Sequence, residues 1–172
     1  MACVMPADAP SSGVEGARDI HLVIPGDPLA VRDGLRRMFD ALMSRGVSDA
    51  DRGTAEIVLA EVLNNIVEHA YAKDGGEIEI FVQVGHDSLT CRVVDTGLPM
   101  PDHDLPAGQS PMLAATPMEL EDLPEGGFGW FLIRALSRDL IYWREGPRNL
   151  LFFRLQTGDA AAARPGAAAP GD

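Results

Sequence analysis

Nowhere in this chain do lysines and arginines gather densely enough to follow a phosphate backbone, and the net charge is −12. That balance argues against nucleic acid as a partner and against an anionic membrane surface, since both recruit clustered cations. Cysteine is scarce as well. Cys3 and Cys91 show no metal-ligand spacing, and both are expected to be reduced, as in a cytosolic protein. No apolar run approaches the roughly 20 residues that span a bilayer. Met1-Ala-Cys-Val-Met-Pro-Ala-Asp8 has neither a basic n-region nor an apolar h-region, so no secretory signal is expected there. The Gly-Lys-Ser/Thr of a P-loop is missing, and no segment repeats. The remaining expectation is a soluble, cytoplasmic, acidic single domain, and 172 residues are enough to bury a real core.

Both ends are expected to be disordered. Residues 1–17 are rich in Ala, Pro, Ser and Gly, and 157–172 are mostly Ala, Pro and Gly, which cannot build a core. The ordered domain is expected over 18–156. Asp19–Ile24 reads as a strand stopped by Pro25-Gly26. Leu29–Ser44 has helical spacing, closed by Arg45-Gly46, a basic residue followed by a C′-type glycine. Ser48 or Asp49 then supplies an N-cap for a helix running to about Tyr71. Lys73-Asp-Gly-Gly76 is turn chemistry. Glu77–Val84 and Ser88–Val94 alternate as strands do, and Gly85-His-Asp87 joins them as a hairpin. Residues 96–126 are proline-rich and aperiodic; a loop of that length is a lid, a binding loop or a disordered stretch. Helix resumes from Gly127 to Ser137, and Leu140–Trp143 and Leu150–Leu155 close the chain as a hairpin around Glu145–Asn149. Helices and antiparallel strands in separate runs indicate a two-layer α+β sandwich.

Three segments carry candidate chemistry. In Leu59–Tyr71 a carboxylate, an amide and an imidazole, Glu61, Asn65 and His69, recur at helical spacing on one face, opposite an apolar face of Leu59, Val62, Leu63, Ile66, Val67 and Ala70. An amide oxygen can ligate Mg²⁺, whose shell is completed by water and substrate phosphates. A carboxylate one turn earlier can take a proton from an attacking hydroxyl. Next, the apolar strand Val93-Val94 ends in Asp95-Thr-Gly97. An Asp there can accept a hydrogen bond from an exocyclic amine, and the glycine lets backbone lie close to a flat base. Third, Glu125-Gly-Gly-Phe-Gly129 leads into an apolar helix, a geometry that presents free N–H groups to an anion. Each segment alone has an ordinary reading: a solvated helix face, a strand-to-loop turn, a glycine hinge before a buried helix.

In this order and spacing the three segments resemble the N, G1 and G2 boxes of the ATPase superfamily that includes gyrase, Hsp90, histidine kinases and MutL. Glu61-x-x-x-Asn65-x-x-x-His69-Ala-Tyr71, with the run from Gly126 to Trp143, is most similar to the anti-sigma factor serine/threonine kinases of bacteria. The resemblance spans roughly residues 19–156. It implies a Bergerat-type ATP-binding fold, a mixed, mainly antiparallel sheet with helices on one face, and a lid over about 98–125. It implies ATP and Mg²⁺ as cofactors, with Asn65 as the metal ligand. Glu61 would be the general base. His69, Asp95, Gly97, Gly126, Gly127, Phe128 and Gly129 would line the ATP site, Asp95 meeting the adenine amine. The partners implied are an anti-anti-sigma protein as phosphorylation substrate, a sigma factor that is sequestered once that substrate is phosphorylated, and a second copy in a homodimer.

Two functions follow for comparison. One is a serine/threonine kinase acting as an anti-sigma factor or similar partner switch. The other is a module that uses ATP to set its shape and exchanges partners without efficient phosphoryl transfer. No Lys or Arg occurs between Arg92 and Arg134, so the long loop brings no cation to the γ-phosphate. Slow turnover is expected. The ATPase part of a chaperone, topoisomerase or sensor kinase is a third possibility, but such proteins need a transducer, a dimerisation helix pair or a phosphoacceptor histidine besides this domain.

Overall fold

The computed structural model describes residues 19–71, 75–108 and 127–158. Its elements run β1 (Asp19–Pro25), α1 (Pro28–Ser44), α2 (Asp49–Asn65), β2 (Glu77–Val84), β3 (Ser88–Asp95), α3 (Gly127–Leu136), β4 (Arg138–Glu145) and β5 (Arg148–Gln156). The expected α+β sandwich is present. Its sheet has the order β1-β2-β3-β5-β4, and all four pairings are antiparallel where a mixed sheet was expected.

Alternation decides which side of the sheet is buried. Ile20, Leu22 and Ile24 of β1 stand opposite Val82, Ile80 and Ile78 of β2. The same face continues through Cys91 and Val93 of β3 to Phe153 and Leu151 of β5. Against it pack Val31, Met38 and Leu42 from α1, Val58, Leu59, Val62 and Leu63 from α2, and Trp130 and Ile133 from α3, all in one core. Each fully buried aliphatic or aromatic side chain contributes about 1.5–3 kcal/mol. Cys91 sits in this core as a free thiol, pushed up to about 12 by burial, and is therefore unreactive at neutral pH. Cys3 lies outside the described residues.

Helix ends follow their local chemistry. Asp27 caps α1, its Oδ1 accepting from the N–H groups of Leu29 and Ala30 at 3.0 Å each. Gly46, at φ 78°, reverses the chain after α1 as expected of a C′ glycine. Ser48 is the N-cap of α2; its Oγ accepts from the Asp51 N–H at 3.2 Å. Arg52 locks the corner by donating to the Val47 carbonyl at 2.8 Å and lying over the Phe39 ring at 4.7 Å. The expected tails lie mostly outside the described residues. Thr157 and Gly158, placed in the tail by composition, donate their N–H groups to Asp87 and Asp51.

The last hairpin is tighter than its apolar content suggests. β4 and β5 pair out to Glu145–Arg148, leaving Gly146 and Pro147 as the turn, because ladder bonding continues past the last large apolar side chain.

The helix read as running to Tyr71 changes pitch. α2 gives way at Ile66–Ala70 to a π turn, closed by the Tyr71 N–H on the Ile66 carbonyl at 2.9 Å. This wider turn delivers the Ala70 carbonyl to the Leu98 N–H at 3.1 Å. It also buries Tyr71, whose hydroxyl donates to the Glu77 carbonyl at 2.7 Å and accepts from the Thr96 N–H at 2.9 Å. One phenol thus ties the end of the α2 segment to β2 and to the loop after β3. Tyr71→Phe leaves both backbone groups without that partner and is expected to cost about 1–3 kcal/mol in urea unfolding. A loss below a few tenths of a kcal/mol contradicts this clamp.

Candidate nucleotide site

Glu61 and Asn65 lie one α-helical turn apart near the end of α2, both half-buried. The first turn of α3 closes on them at Gly129. A Cβ at this glycine would stand 2.5 Å from Glu61 Oε2 and 3.9 Å from Asn65 Nδ2, so no larger residue fits without displacing the carboxylate. The Asn65 Nδ2 group is buried and has no hydrogen-bond partner among the described residues. A buried amide donor left unmatched costs free energy that a ligand acceptor can recover.

The second wall is the end of β3. Asp95 is 6% exposed. Its Oδ1 accepts from the Gly97 N–H and from Asn149 Nδ2, both at 2.8 Å. Burial pushes its carboxyl above the ordinary carboxylate value, and the bonds from Asn149 and Gly97 with the nearby Arg144 charge oppose that rise. Gly97 is packed against the helix end: a Cβ there would lie 2.6 Å from both the Ala70 Cβ and carbonyl oxygen. The requirement for glycine is therefore met within the protein itself, by the π turn that carries Ala70.

Asn149, Arg144 and Tyr142 escaped the sequence reading. Asn149 Nδ2 reaches the Leu98 carbonyl at 3.0 Å besides Asp95, while its Oδ1 accepts from Tyr142 Oη at 2.9 Å and Arg144 Nη1 at 2.6 Å. Arg144 also donates to the Gly97 carbonyl at 3.2 Å. The signal was a polar residue opening an apolar strand, and it became readable once the register set Asn149 opposite Asp95.

Arg134, the first cation after the long loop, is turned to another task. Its Nε donates to the Pro106 carbonyl at 2.8 Å and its Nη2 to that of Leu105 at 3.2 Å, so it fastens the loop base to α3. Gly108 continues that contact, at φ 68°, against the backbone of Trp130 and Phe131. Of the other expected site residues, Gly127 opens α3 and Phe128 is 51% exposed. His69 is exposed within the π turn, so the α-helical spacing that aligned it with Glu61 and Asn65 does not hold to its position. Gly126 lies outside the described residues, as does the expected lid beyond Gly108.

Residues 24–155 match the family described as histidine kinase-like ATPase domain. The chain belongs to that family. Among similar proteins is the serine-protein kinase RsbW of Bacillus cereus, 36% identical over 85 residues that cover 49% of this chain and 52% of the relative. RsbW of Bacillus mycoides is 35% identical over 95 residues, 55% of this chain and 58% of that one. The chain thus spans about half the length of the curated relatives it matches. The crystal structure of the RsbU and RsbW domains of Rv1364c from Mycobacterium tuberculosis shares the fold. It aligns at a TM-score of 0.51 and 16% identity, covering 81% of this chain and 32% of that one.

For a histidine kinase-like ATPase domain the implied ligand is ATP, and this chain's residues fit it on three counts. Asn65 offers an unmatched buried amide beside α3. Asp95 has Oδ1 committed to the protein, and among the described residues no partner takes Oδ2. Glu61 faces the gap at Gly129. Among the described residues no group of three His, Cys, Asp or Glu could hold a metal alone. A hard cation here would need phosphate oxygens beside Asn65, which is the usual manner of Mg²⁺.

Proposed function

We propose that this ATPase domain is an ATP- and Mg²⁺-dependent serine/threonine protein kinase that works as an anti-sigma factor or similar partner switch. In this reading it is cytoplasmic, acts as a homodimer, and phosphorylates an anti-anti-sigma protein to control a sigma factor. The supporting observation is the juxtaposition of Glu61, Asn65 and Gly129 at the α2–α3 junction, in a chain whose relatives are named serine-protein kinases. Among the described residues no helix is long and apolar enough to cross a membrane.

When bound, MgATP supplies the transferable γ-phosphoryl group and the metal charge that offsets its negative oxygens. The protein's part is positional. Asp95 Oδ2 accepts from the adenine amine, while Asn149 and the Gly97 N–H keep the carboxylate from rotating away. Asn65 would hold the metal through its amide oxygen, and the first turn of α3 would offer backbone N–H groups to phosphate. Glu61 would accept the proton of the partner's serine or threonine hydroxyl as that oxygen bonds to the γ-phosphorus and the bond from the γ-phosphorus to the leaving ADP breaks. Gly129 keeps room for the carboxylate at that point.

Calorimetric titration with ATP and Mg²⁺, followed by pulldown in ATP and then in ADP, tests the reading. Saturable ATP binding and recovery of a partner that acquires phosphoserine or phosphothreonine are expected. Failure of ATP to bind with Mg²⁺ present overturns it.

One observation favours the second reading, an ATP-dependent partner switch without efficient transfer. Arg134 is engaged with the Leu105 and Pro106 carbonyls, and the long loop contains no Lys or Arg of its own. Partner exchange driven by ATP without phosphate transfer is its signature.

A further inference from the structure

Tyr71 occupies a slot that backbone builds around it. Gly26 meets the Cδ2–Cε2 edge of its ring, and Gly76 meets Cε1, Cζ and the hydroxyl; a Cβ at either glycine would collide with the ring. The two glycines are themselves joined, the Gly26 N–H donating to the Gly76 carbonyl at 2.7 Å. A phenylalanine would fill this slot as well as a tyrosine does, so packing alone does not call for the hydroxyl.

The hydroxyl's partners lie beside the nucleotide site. Successive N–H groups after β3 are each taken by a different acceptor: Thr96 by Tyr71 Oη at 2.9 Å, Gly97 by Asp95 Oδ1 at 2.8 Å and Leu98 by the Ala70 carbonyl at 3.1 Å. The turn that carries Asp95 is therefore bonded on both flanks of Gly97 to the end of the α2 segment. The preceding turns of that same segment carry Glu61 and Asn65. Through its donation to the Glu77 carbonyl at 2.7 Å, the phenol is also fixed to the start of β2.

Each half of the site has anchors of its own. Asp95 is held from β5 by Asn149 Nδ2 at 2.8 Å. Asn65 is carried on a helix whose Leu59, Val62 and Leu63 are in the core. What the phenol adds is the bond between them. We propose that Tyr71 is a positioning residue for the nucleotide: its hydroxyl holds the adenine subsite at Asp95 and the metal–phosphate subsite at Asn65 at the separation that one ATP spans. It acts through those two residues.

A ligand that bridges two subsites gains from their fixed separation, because its second contact is made at high effective concentration. A ligand that fills only one subsite gains nothing from it. The coupling is reciprocal, so ATP must strengthen the link by the factor that the link strengthens ATP binding.

This inference rests on the ATP site proposed above and deepens it. Calorimetric titration of the full chain compares MgATP with its two halves, adenosine and inorganic tripolyphosphate with Mg²⁺. In Tyr71→Phe the Kd for MgATP is expected to rise about tenfold or more, while those for adenosine and tripolyphosphate stay within about threefold. A structural loss alone, in a variant shown to be folded by circular dichroism, moves all three alike or none. In an Asp95→Asn background, where the adenine subsite is already broken, Tyr71→Phe is expected to weaken MgATP by less than about threefold.

The wild type supplies a readout that needs no variant. Hydrogen exchange at the Thr96 amide is expected to slow more with MgATP than with adenosine or tripolyphosphate at equal saturation. Three results overturn the inference while the ATP site stands: a MgATP shift no larger than those of the two halves, an undiminished effect of Tyr71→Phe in Asp95→Asn, or equal protection of Thr96 by all three ligands. A wild type that binds no MgATP overturns the site and this inference together.

Discussion

Asp95→Asn is expected to weaken ATP binding while making the ligand-free protein more stable at neutral pH. Both effects come from one carboxylate. Asn keeps an oxygen for the Gly97 N–H and Asn149 Nδ2, which now meet Oδ1 at 2.8 Å each. It puts an NH₂ where Oδ2 stood, so donor faces donor at the adenine amine. Losing a hydrogen bond to a charged group costs about 1.5–3 kcal/mol, roughly 10- to 100-fold in Kd.

The stability effect has the opposite sign. Burial raises the Asp95 pKa above its ordinary 3.8. Between 3.8 and that raised value the folded state holds more proton than the unfolded one. This group's contribution to stability therefore falls as pH rises through that window, and the loss persists above it. Asn carries no charge and escapes the loss. Thermal unfolding of Asp95→Asn and wild type should diverge at neutral pH, the variant higher, and converge below about pH 3.8. A variant less stable at neutral pH, or one binding ATP as wild type does, contradicts the role given to Asp95.

Glu61→Gln is expected to lower phosphoryl transfer by about 10²- to 10⁴-fold, the usual worth of a positioned general base. ATP affinity should stay within about threefold, since Gln keeps the shape and hydrogen-bonding reach of Glu. Gly129→Ala is the geometric companion. Its Cβ would fall 2.5 Å from Glu61 Oε2, the movable end of a side chain, so the fold is kept and the carboxylate is displaced. Transfer should drop in both variants, with nucleotide still bound. Single-turnover transfer unchanged in Glu61→Gln removes Glu61 as the base, and unchanged transfer in Gly129→Ala shows that its position is immaterial.

Local patterns carried most of the fold. Glu77–Val84 alternates between a core face and an open one, and the spacing of Val31, Met38 and Leu42 marks the buried side of α1. The three site segments were legible because each is short and contiguous. What escaped depends on contacts distant in sequence. Asn149 meets Asp95 across 54 residues, and only the placement of β5 beside β3 makes them neighbours. The π turn was hidden as well, since Leu59–Tyr71 has amphipathic spacing whichever pitch it ends in. Its consequences are specific. His69 is left exposed, and Ala70 moves against Gly97. Arg134 lies in a sequence position suited to the phosphate region, but the carbonyls of Leu105 and Pro106 claim it. The apolar content of β4 was visible as strand content, and the exposure of Ile141 and Trp143 goes with the placement of α1, α2 and α3 on the other face of the sheet.

The most direct measurement is single-turnover transfer of γ-labelled phosphate from ATP, with Mg²⁺, to the partner that the wild-type protein captures. The account predicts slow, stoichiometric phosphorylation of a partner serine or threonine that depends on Glu61. A partner that binds normally in the presence of bound ATP yet takes up no label contradicts the kinase, and leaves an ATP-driven partner switch in its place.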